Sequence, residues 1–201
     1  MTILKLYGSK LSTCTRRVGT LLHELKIPFE LIEISIAKGE TQTPEHLEKQ
    51  PFGQIPYIDD NGFILYESRA IYRYIAAKHP ESGFIPAEPK ANALFEPAAV
   101  AEGANFDSSA SKAGFEKCFG MTPDQTRVDT ELAALEKKLD AYEVILSKHR
   151  YVGGATLTLA DLFHLPDMMT RRPNVARWYQ ELISRPSWLA VVDGLKPTET
   201  Y

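Results

Sequence analysis

The sequence predicts an α/β N-terminal part followed by an all-helical C-terminal part. Strand and helix patterns alternate over the first 80 residues, and no convincing strand pattern occurs beyond about residue 92. The stretch 78–92 separates the two parts and holds three prolines and a glycine, a composition typical of a linker. We therefore predict an α/β domain over 1–80, a linker over 81–90 and a helical domain over 91–201.

The first elements form a β-α-β pattern. "TILKLY" (2–7) and "PFELIEISI" (28–36) alternate as short strands. The segment between them has a helical stripe of four apolar residues, Val18, Leu21, Leu22 and Leu25. A strand–helix–strand order implies a right-handed unit with two parallel strands.

The segment "PYIDDNGFILYES" (56–68) predicts a β-hairpin followed by a helix. Asn61-Gly62 lies between two apolar runs, and a type I′ turn needs positive φ at both central positions. Ser68 then opens a helix, which completes a βαβ-ββα order.

The C-terminal half reads as helices throughout. Residues 128–146 carry apolar side chains at 4-3-4-3-4 spacing, which predicts an amphipathic helix. Thr158 and Asp161 have the spacing of a capping box at the start of another helix. We expect His164, in an apolar context, to be a hydrogen-bonded core residue, and Trp178 to be a core anchor.

Composition excludes several function classes. The 201 residues carry a net charge of −3 with a pI near 6.0, which argues against a nucleic-acid surface. No apolar run approaches the ~20 residues needed to span a bilayer, and the N-terminus is unlike a signal peptide. The two cysteines, Cys14 and Cys118, are too few and too distant for a disulfide framework, so we expect a reduced, cytoplasmic protein.

Candidate nucleophiles crowd into "YGSKLSTCTRR" (7–17). Cys14 is intrinsically the better nucleophile, whereas Ser12 is an alcohol that ordinarily needs a base beside it. A cysteine two residues further along a starting helix is rotated by about 200°, so we expect Cys14 to face away from the Ser12 side and to be buried.

Two further stretches suit a small peptide ligand. A cis Ile55-Pro56 bond would present the backbone of Gln54 and Ile55 to an extended peptide, although a plain loop explains the same residues. Glu67 and Ser68 meet a helix N-terminus, which together would fit an α-amino acid end. The alternative is that Ser68 merely caps its helix and Glu67 is solvated.

Five motifs in order give the chain a recognisable resemblance. "STCTRRV", "QPFGQIP", "YESRAI", "TLTLADLFHLP" and "RPNVARWYQELISRPSW" together resemble the cytosolic glutathione transferases, especially the phi class and its fungal relatives. The resemblance implies a thioredoxin-like N-terminal domain that binds glutathione, and an all-helical C-terminal domain that lines the acceptor pocket. It also implies a homodimer and no metal.

The resemblance assigns roles to individual residues. Ser12 matches the catalytic serine, Gln54 and Ile55 match the pair that holds the cysteinyl backbone of glutathione, and Glu67 and Ser68 match the γ-glutamyl binders. In this reading the nucleophile is the glutathione thiolate, which a serine hydrogen bond and a helix N-terminus stabilise.

One position departs from the phi pattern. That pattern has His-Lys after "GE" to bind the glycyl carboxylate, whereas this chain has the uncharged pair Thr41-Gln42. We expect weaker binding of the glycyl end, or help from Lys38 or Lys10, because an exposed charge pair contributes only up to ~1 kcal/mol.

The acceptor side is less determined. We expect Leu11, Phe106, Phe115 and Phe119 to line an apolar acceptor pocket, although core packing explains the phenylalanines nearly as well. The expected activity is conjugation of glutathione to hydrophobic electrophiles, with peroxide reduction at the same site. The alternatives are a ligandin-type carrier and a thioltransferase that uses Cys14.

Two segments are shorter than the corresponding segments in the family pattern. "FGMTPDQ" (119–125) and "HLPDMMTRRPNV" (164–175) leave few residues for the turns between helices. We therefore expect loop residues to be absent from this sequence near 119–121 and 167–171.

Overall fold

The computed structural model describes residues 3–112, 122–165 and 172–198. Its contacts divide the chain into a first unit, which joins the residues up to Ser82 to those from Ser184 onward, and a second unit from Gly83 to Ile183. The predicted fold class is confirmed: the first unit is thioredoxin-like with a mixed sheet, and the second is helical. The final segment, which we had placed with the helical domain, groups with the first unit instead.

A four-stranded mixed sheet forms the centre of the first unit. Its strands are β1 (Leu4–Gly8), β2 (Phe29–Glu33), β3 (Tyr57–Asp60) and β4 (Phe63–Tyr66). The order is β2-β1-β3-β4, with β1 and β2 parallel and the other pairs antiparallel. β2 is shorter than the predicted 28–36 because β1 ends at Gly8, opposite Glu33, and its last carbonyl is taken by the Ile34 N–H.

The hairpin turn between β3 and β4 follows the sequence prediction. Asn61 and Gly62 both have positive φ, 57° and 89°, as a primed turn requires. The turn also fixes the register, in which Asp60 is opposite Phe63 and Tyr57 is opposite Tyr66.

Three helices complete the N-terminal part of the first unit. They are α1 (Thr13–Glu24), α2 (Pro44–Lys49) and α3 (Ser68–Lys78). The helices α1 and α3 pack on each other, and α1 also packs on β1. Fully buried apolar side chains from strands and helices form one core: Leu6, Val18, Leu21, Leu22, Phe29, Ile58, Ile71 and Tyr72.

The second unit is built from helices and a π-helical turn, and five of these elements have both ends within the described residues. They are α4 (Pro89–Ala101), the π turn (Glu102–Asp107), α5 (Gln125–Lys148), α6 (Leu159–Leu162) and α7 (Pro173–Ile183). α4 begins inside the predicted linker, because the Glu88 carboxylate accepts a hydrogen bond from the Ala91 N–H at 2.7 Å and caps the helix. The segments near 119–121 and 167–171, where we expect missing loop residues, lie outside the described residues.

A buried polar network lies in the core of the second unit. The Asp161 carboxylate accepts hydrogen bonds from the N–H groups of Val152 and Thr158 and from the Trp178 indole, each at 2.9 Å. His164 is fully buried, with one ring nitrogen 2.7 Å from the Ala160 carbonyl and the other 3.0 Å from the Tyr142 hydroxyl. The predicted capping box and core histidine are therefore both present.

The long helix α5 is buried over only part of its apolar stripe. Leu135, Leu139 and Leu146 are buried, whereas Leu132 is 45% exposed. α5 packs on α7, where Arg177 donates to the Leu146 carbonyl, and on the π turn, where the Phe106 ring meets Tyr142.

The C-terminal segment returns to the first unit, where it forms α8 (Pro186–Leu189). The Arg185 guanidinium donates two hydrogen bonds to the Glu24 carboxylate, at 2.6 and 2.7 Å. The Phe29 N–H donates to the Thr198 carbonyl at 2.8 Å. These long-range bonds to α1 and β2 explain why the segment groups with the first unit.

Candidate functional site

The sheet register gathers the predicted site residues at one end of the first unit. Tyr7, near the end of β1, is opposite Tyr57 at the start of β3, and Tyr57 is opposite Tyr66 at the end of β4. The loop after β1, the loop before β3 and the turn after β4 therefore lie at the same end of the strands. They carry Ser12, the Gln54-Ile55 pair and the Glu67-Ser68 pair respectively.

Ser12 is the N-cap residue of α1. Its backbone is extended (φ −66°, ψ 129°), and its hydroxyl oxygen accepts a hydrogen bond from the Thr15 N–H at 3.4 Å. The side chain is 8% exposed. Since the oxygen is the acceptor in that bond, the hydroxyl proton is left to donate, at a helix end that favours a negative charge.

The loop that carries Ser12 is held from two sides. The Glu33 carboxylate accepts hydrogen bonds from the Ser9 hydroxyl at 3.0 Å and the Lys10 N–H at 3.2 Å. The Leu195 N–H of the C-terminal segment donates to the Lys10 carbonyl at 3.2 Å. Sequence reasoning missed both supports, since strand-end carboxylates and distant backbone groups carry no local signal.

Cys14 is half-buried, not buried as expected. Cys14 lies in the first turn of α1, on the side of the helix that carries Val18 and Leu21. Those two residues are buried, whereas Cys14 lies at the less buried end of that side. Cys118 lies outside the described residues.

Thr41 and Gln42 lie in a short 3-10 turn before α2. Thr41 is 5% exposed, whereas Gln42 is exposed and its amide nitrogen is 3.4 Å from the Thr41 hydroxyl. A Cβ added at Gly53 would lie 2.4 Å from that amide nitrogen and 3.1 Å from the Thr41 carbonyl. This close approach links the Thr41-Gln42 segment to the loop that precedes β3.

The loop before β3 is anchored to α2 by buried side chains. The Gln50 side-chain oxygen accepts hydrogen bonds from the N–H groups of Phe52 at 2.7 Å and Gln54 at 3.2 Å. His46 lies 2.9 Å from the Gln54 carbonyl. The Ile55-Pro56 peptide bond is cis. Sequence reasoning identified Gln54 and Ile55 but neither of the residues that hold them.

Glu67 has an unusual backbone at the start of α3. Its φ is +68° and its ψ 110°, a region that residues other than glycine rarely occupy and that costs of order 1–3 kcal/mol. Its side chain is exposed and makes no capping hydrogen bond, while Ser68 is 6% exposed and is the first helical residue. Ser68 is therefore not the N-cap of α3, which was the alternative reading.

Tyr57 lies behind the loop and stays neutral. Its ring stacks on Tyr7 at 4.4 Å between centroids. Burial, with smaller contributions from Tyr7, Glu45 and Asp59, raises the pKa of Tyr57 to about 12. The phenol therefore adds no charge near the site at neutral pH.

The four residues expected at the acceptor pocket fall into three situations. Leu11, next to Ser12, is 55% exposed. Phe106 is 1% exposed in the core of the second unit, where its ring contacts those of Tyr142 and His164, in agreement with the packing alternative. Phe115 and Phe119 lie outside the described residues.

The described residues include no group of three or more His, Cys, Asp or Glu side chains placed to hold a metal ion. In the same ranges, every helix is too short or too polar to traverse a lipid bilayer.

Comparisons with known proteins cover most of the chain. The family model of the glutathione S-transferase N-terminal domain matches residues 3–77, and that of the C-terminal domain matches residues 94–168. Glutathione S-transferase hmp2 of Hypomyces subiculosus is 40% identical over 207 residues, covering 93% of this chain and 96% of the relative.

Solved structures agree with the sequence matches. Glutathione transferase F7 from Populus trichocarpa superimposes with a TM-score of 0.88 at 36% identity, covering 96% of this chain and 100% of the other. Glutathione S-transferase I from mais, in complex with an atrazine glutathione conjugate, has a TM-score of 0.85 at 32% identity, with 96% and 97% covered.

Proposed function

The chain belongs to the glutathione S-transferase family, and from that premise we propose a serine-type transferase that conjugates glutathione to hydrophobic electrophiles. The position of Ser12 carries the proposal. Its hydroxyl is nearly buried at the N-terminus of α1, and its oxygen already accepts the Thr15 N–H, so its proton is available to a ligand thiolate.

The chemistry requires an ionised thiol. A free thiol has a pKa near 8.5, so only about 3% is thiolate at neutral pH. The Ser12 hydrogen bond and the N-terminal end of α1 both favour the anion, and a fall of roughly two pKa units corresponds to ~2.7 kcal/mol. The thiol proton leaves to solvent, the sulfur forms a bond to the electrophilic carbon, and the leaving group departs with the electron pair of its broken bond.

Three further segments support binding of the tripeptide. The Gln54 and Ile55 backbone would pair with the cysteinyl residue as an added strand. Glu67 offers an exposed carboxylate to the γ-glutamyl ammonium, and Ser68 at the N-terminus of α3 suits its carboxylate. Thr41 and Gln42 would contact the glycyl end through neutral hydrogen bonds. A strained residue such as Glu67 is often retained at a binding site.

The acceptor is proposed only as a class. Leu11 is exposed beside Ser12, which supports a role in contacting an apolar acceptor. The same thiolate would attack an oxygen of an organic peroxide, which breaks the O–O bond and releases the alcohol. A second glutathione thiol would then displace the sulfur-bound oxygen as water and form the disulfide. A ligandin-type carrier and a Cys14 thioltransferase are the competing functions.

One set of assays tests the proposal. Conjugation of glutathione to an activated aryl halide and reduction of an organic peroxide are measured for the unmodified protein, Ser12→Ala and Cys14→Ser. We expect turnover by the unmodified protein and by Cys14→Ser, and a loss of about tenfold to a hundredfold in Ser12→Ala, the effect of removing about 1.5–3 kcal/mol from a charged hydrogen bond. Full activity of Ser12→Ala with loss in Cys14→Ser would favour the thioltransferase. Ligand binding without turnover would favour the carrier.

We also propose a homodimer in the cytoplasm. Exposed apolar side chains of α4 and α5 flank a groove of about 580 Å³ in the second unit, among them Leu94 and Val144 at 62% and 56% exposed. Two cysteines in 201 residues fit a reducing compartment. Sedimentation equilibrium should give twice the 22.5 kDa of one chain, and a monomer mass would contradict the dimer. Imaging of a tagged protein tests the compartment.

A further inference from the structure

The short helix α2 connects two segments of the proposed glutathione site. Thr43 caps it, accepting the His46 N–H at 3.3 Å while its hydroxyl donates to the Glu40 carbonyl at 3.0 Å. At the other end of α2, buried Gln50 holds the N–H groups of the loop that leads to Ile55. α2 therefore lies between the Thr41-Gln42 turn and the Gln54-Ile55 pair.

His46 projects from α2 onto the loop as a hydrogen-bond donor. Its side chain is 4% exposed, and its Nε2 atom is 2.9 Å from the Gln54 carbonyl oxygen. A carbonyl oxygen can only accept, so Nε2 carries the proton. Within the described residues the other nitrogen, Nδ1, is buried without a partner, so the bond to Gln54 is the polar contact that orients the ring.

The hydrogen bond to Gln54 controls the neighbouring N–H group. The Gln54 carbonyl and the Ile55 N–H belong to one planar trans peptide unit, so they point in opposite directions and turn together. Within residues 3–112, 122–165 and 172–198, no hydrogen bond uses the Ile55 N–H. His46 thus holds one side of a peptide plane whose other side carries an N–H without a partner among the described residues.

The surroundings of the ring fix its orientation. His46 meets Tyr57 edge to face, with ring centroids 5.4 Å apart and an interplanar angle of 73°. Tyr57 is itself stacked on Tyr7. The imidazole is therefore held in place by packing before any ligand binds, which is what a preorganised site needs.

We propose that His46 is a positioning residue for glutathione binding, acting through the Gln54–Ile55 peptide plane. The inference rests on the proposed function, and it adds a residue that contacts no substrate. The residue sets ground-state affinity, because the peptide plane binds the cysteinyl backbone and not the reacting sulfur. Its loss should therefore raise the KM for glutathione and leave kcat nearly unchanged.

The substitution His46→Phe removes only the hydrogen-bond donor. It keeps an aromatic ring against Tyr57 and leaves the Gln54 carbonyl without its partner. We expect the KM for glutathione to rise about fivefold, the usual effect of one net hydrogen bond, with kcat and the acceptor KM within about twofold of the unmodified protein. His46→Gln, whose amide nitrogen replaces Nε2, should restore most of the affinity. The matched control is His79→Phe at the C-terminal end of α3, which should leave every constant unchanged.

A spectroscopic readout on the unmodified protein makes the test independent of variant folding. Long-range ¹H–¹⁵N NMR correlations of His46 should show a proton on Nε2, and the Ile55 amide resonance should shift when glutathione is added. A ring protonated at Nδ1 and not at Nε2, or an unchanged glutathione KM in His46→Phe, would overturn this inference but not the proposed function. Failure of the unmodified protein to bind glutathione would overturn both the inference and the proposed function.

Discussion

Two single-residue features shape the candidate site: the Ser12 hydroxyl and the missing side chain of Gly53. Ser12 was identified through the resemblance, in which it matches the catalytic serine, and its N-cap position was not predicted. Gly53 was not predictable, since its role depends on how closely the loop before β3 approaches Thr41 and Gln42. The positive φ of Glu67 was equally invisible, because sequence rules reserve that region for glycine and asparagine.

Gly53→Ala should affect binding more than stability. The alanine takes the same left-handed backbone penalty, about 1 kcal/mol, at Gly53 (φ +62°) and at Gly83 (φ +69°). A Cβ at Gly83 meets no atom within 4 Å, whereas at Gly53 it meets the flexible Gln42 amide at 2.4 Å and forces it aside. Urea unfolding should show a loss for both variants, somewhat larger for Gly53→Ala because its Cβ also lies 3.1 Å from the Thr41 carbonyl, while only Gly53→Ala raises the glutathione KM, by about threefold. Equal KM values in both variants would contradict this account.

At the scale of helices and strands, turn and capping residues predicted where elements begin or turn better than apolar patterns predicted how long they are. The Asn61-Gly62 turn and the Thr158–Asp161 capping box were read from spacing alone, and both are present. β2 is shorter than its pattern, because a strand extends only as far as its neighbour. The exposed Leu132 shows the same limit for α5: periodicity defines an apolar stripe but not which part another element covers.

Asp161→Ala should destabilise the second unit. The change removes the capping box of α6 and leaves the Val152 N–H and the Trp178 indole N–H without their acceptor in a fully buried place. Loss of a cap costs about 1 kcal/mol and each buried unpaired donor about 1–3 kcal/mol, so we expect a loss of about 3 kcal/mol or more. Urea denaturation followed by Trp fluorescence measures it. Asp140→Ala, at an exposed position on α5, is the control, and a loss no larger than the control's would be contrary to expectation.

At the scale of the whole molecule, the resemblance of five spaced motifs predicted the family and fold class, and both are confirmed. The path of the C-terminal segment was not predictable. Its place on the first unit depends on pairs far apart in sequence, such as Glu24 with Arg185 and Phe29 with Thr198. Supporting residues of the site, Glu33, His46 and Gln50, were missed for the same reason, since each acts through a hydrogen bond that exists only in the folded chain.

The central claim is that Ser12, and not Cys14, stabilises the thiolate of bound glutathione. The pH dependence of the ultraviolet difference absorbance between the complex and the free protein gives the pKa of the bound thiol. We expect a pKa about two units below 8.5 for the unmodified protein and for Cys14→Ser, and a value close to 8.5 for Ser12→Ala. A pKa that is equally low in Ser12→Ala, or that rises only in Cys14→Ser, would contradict the account.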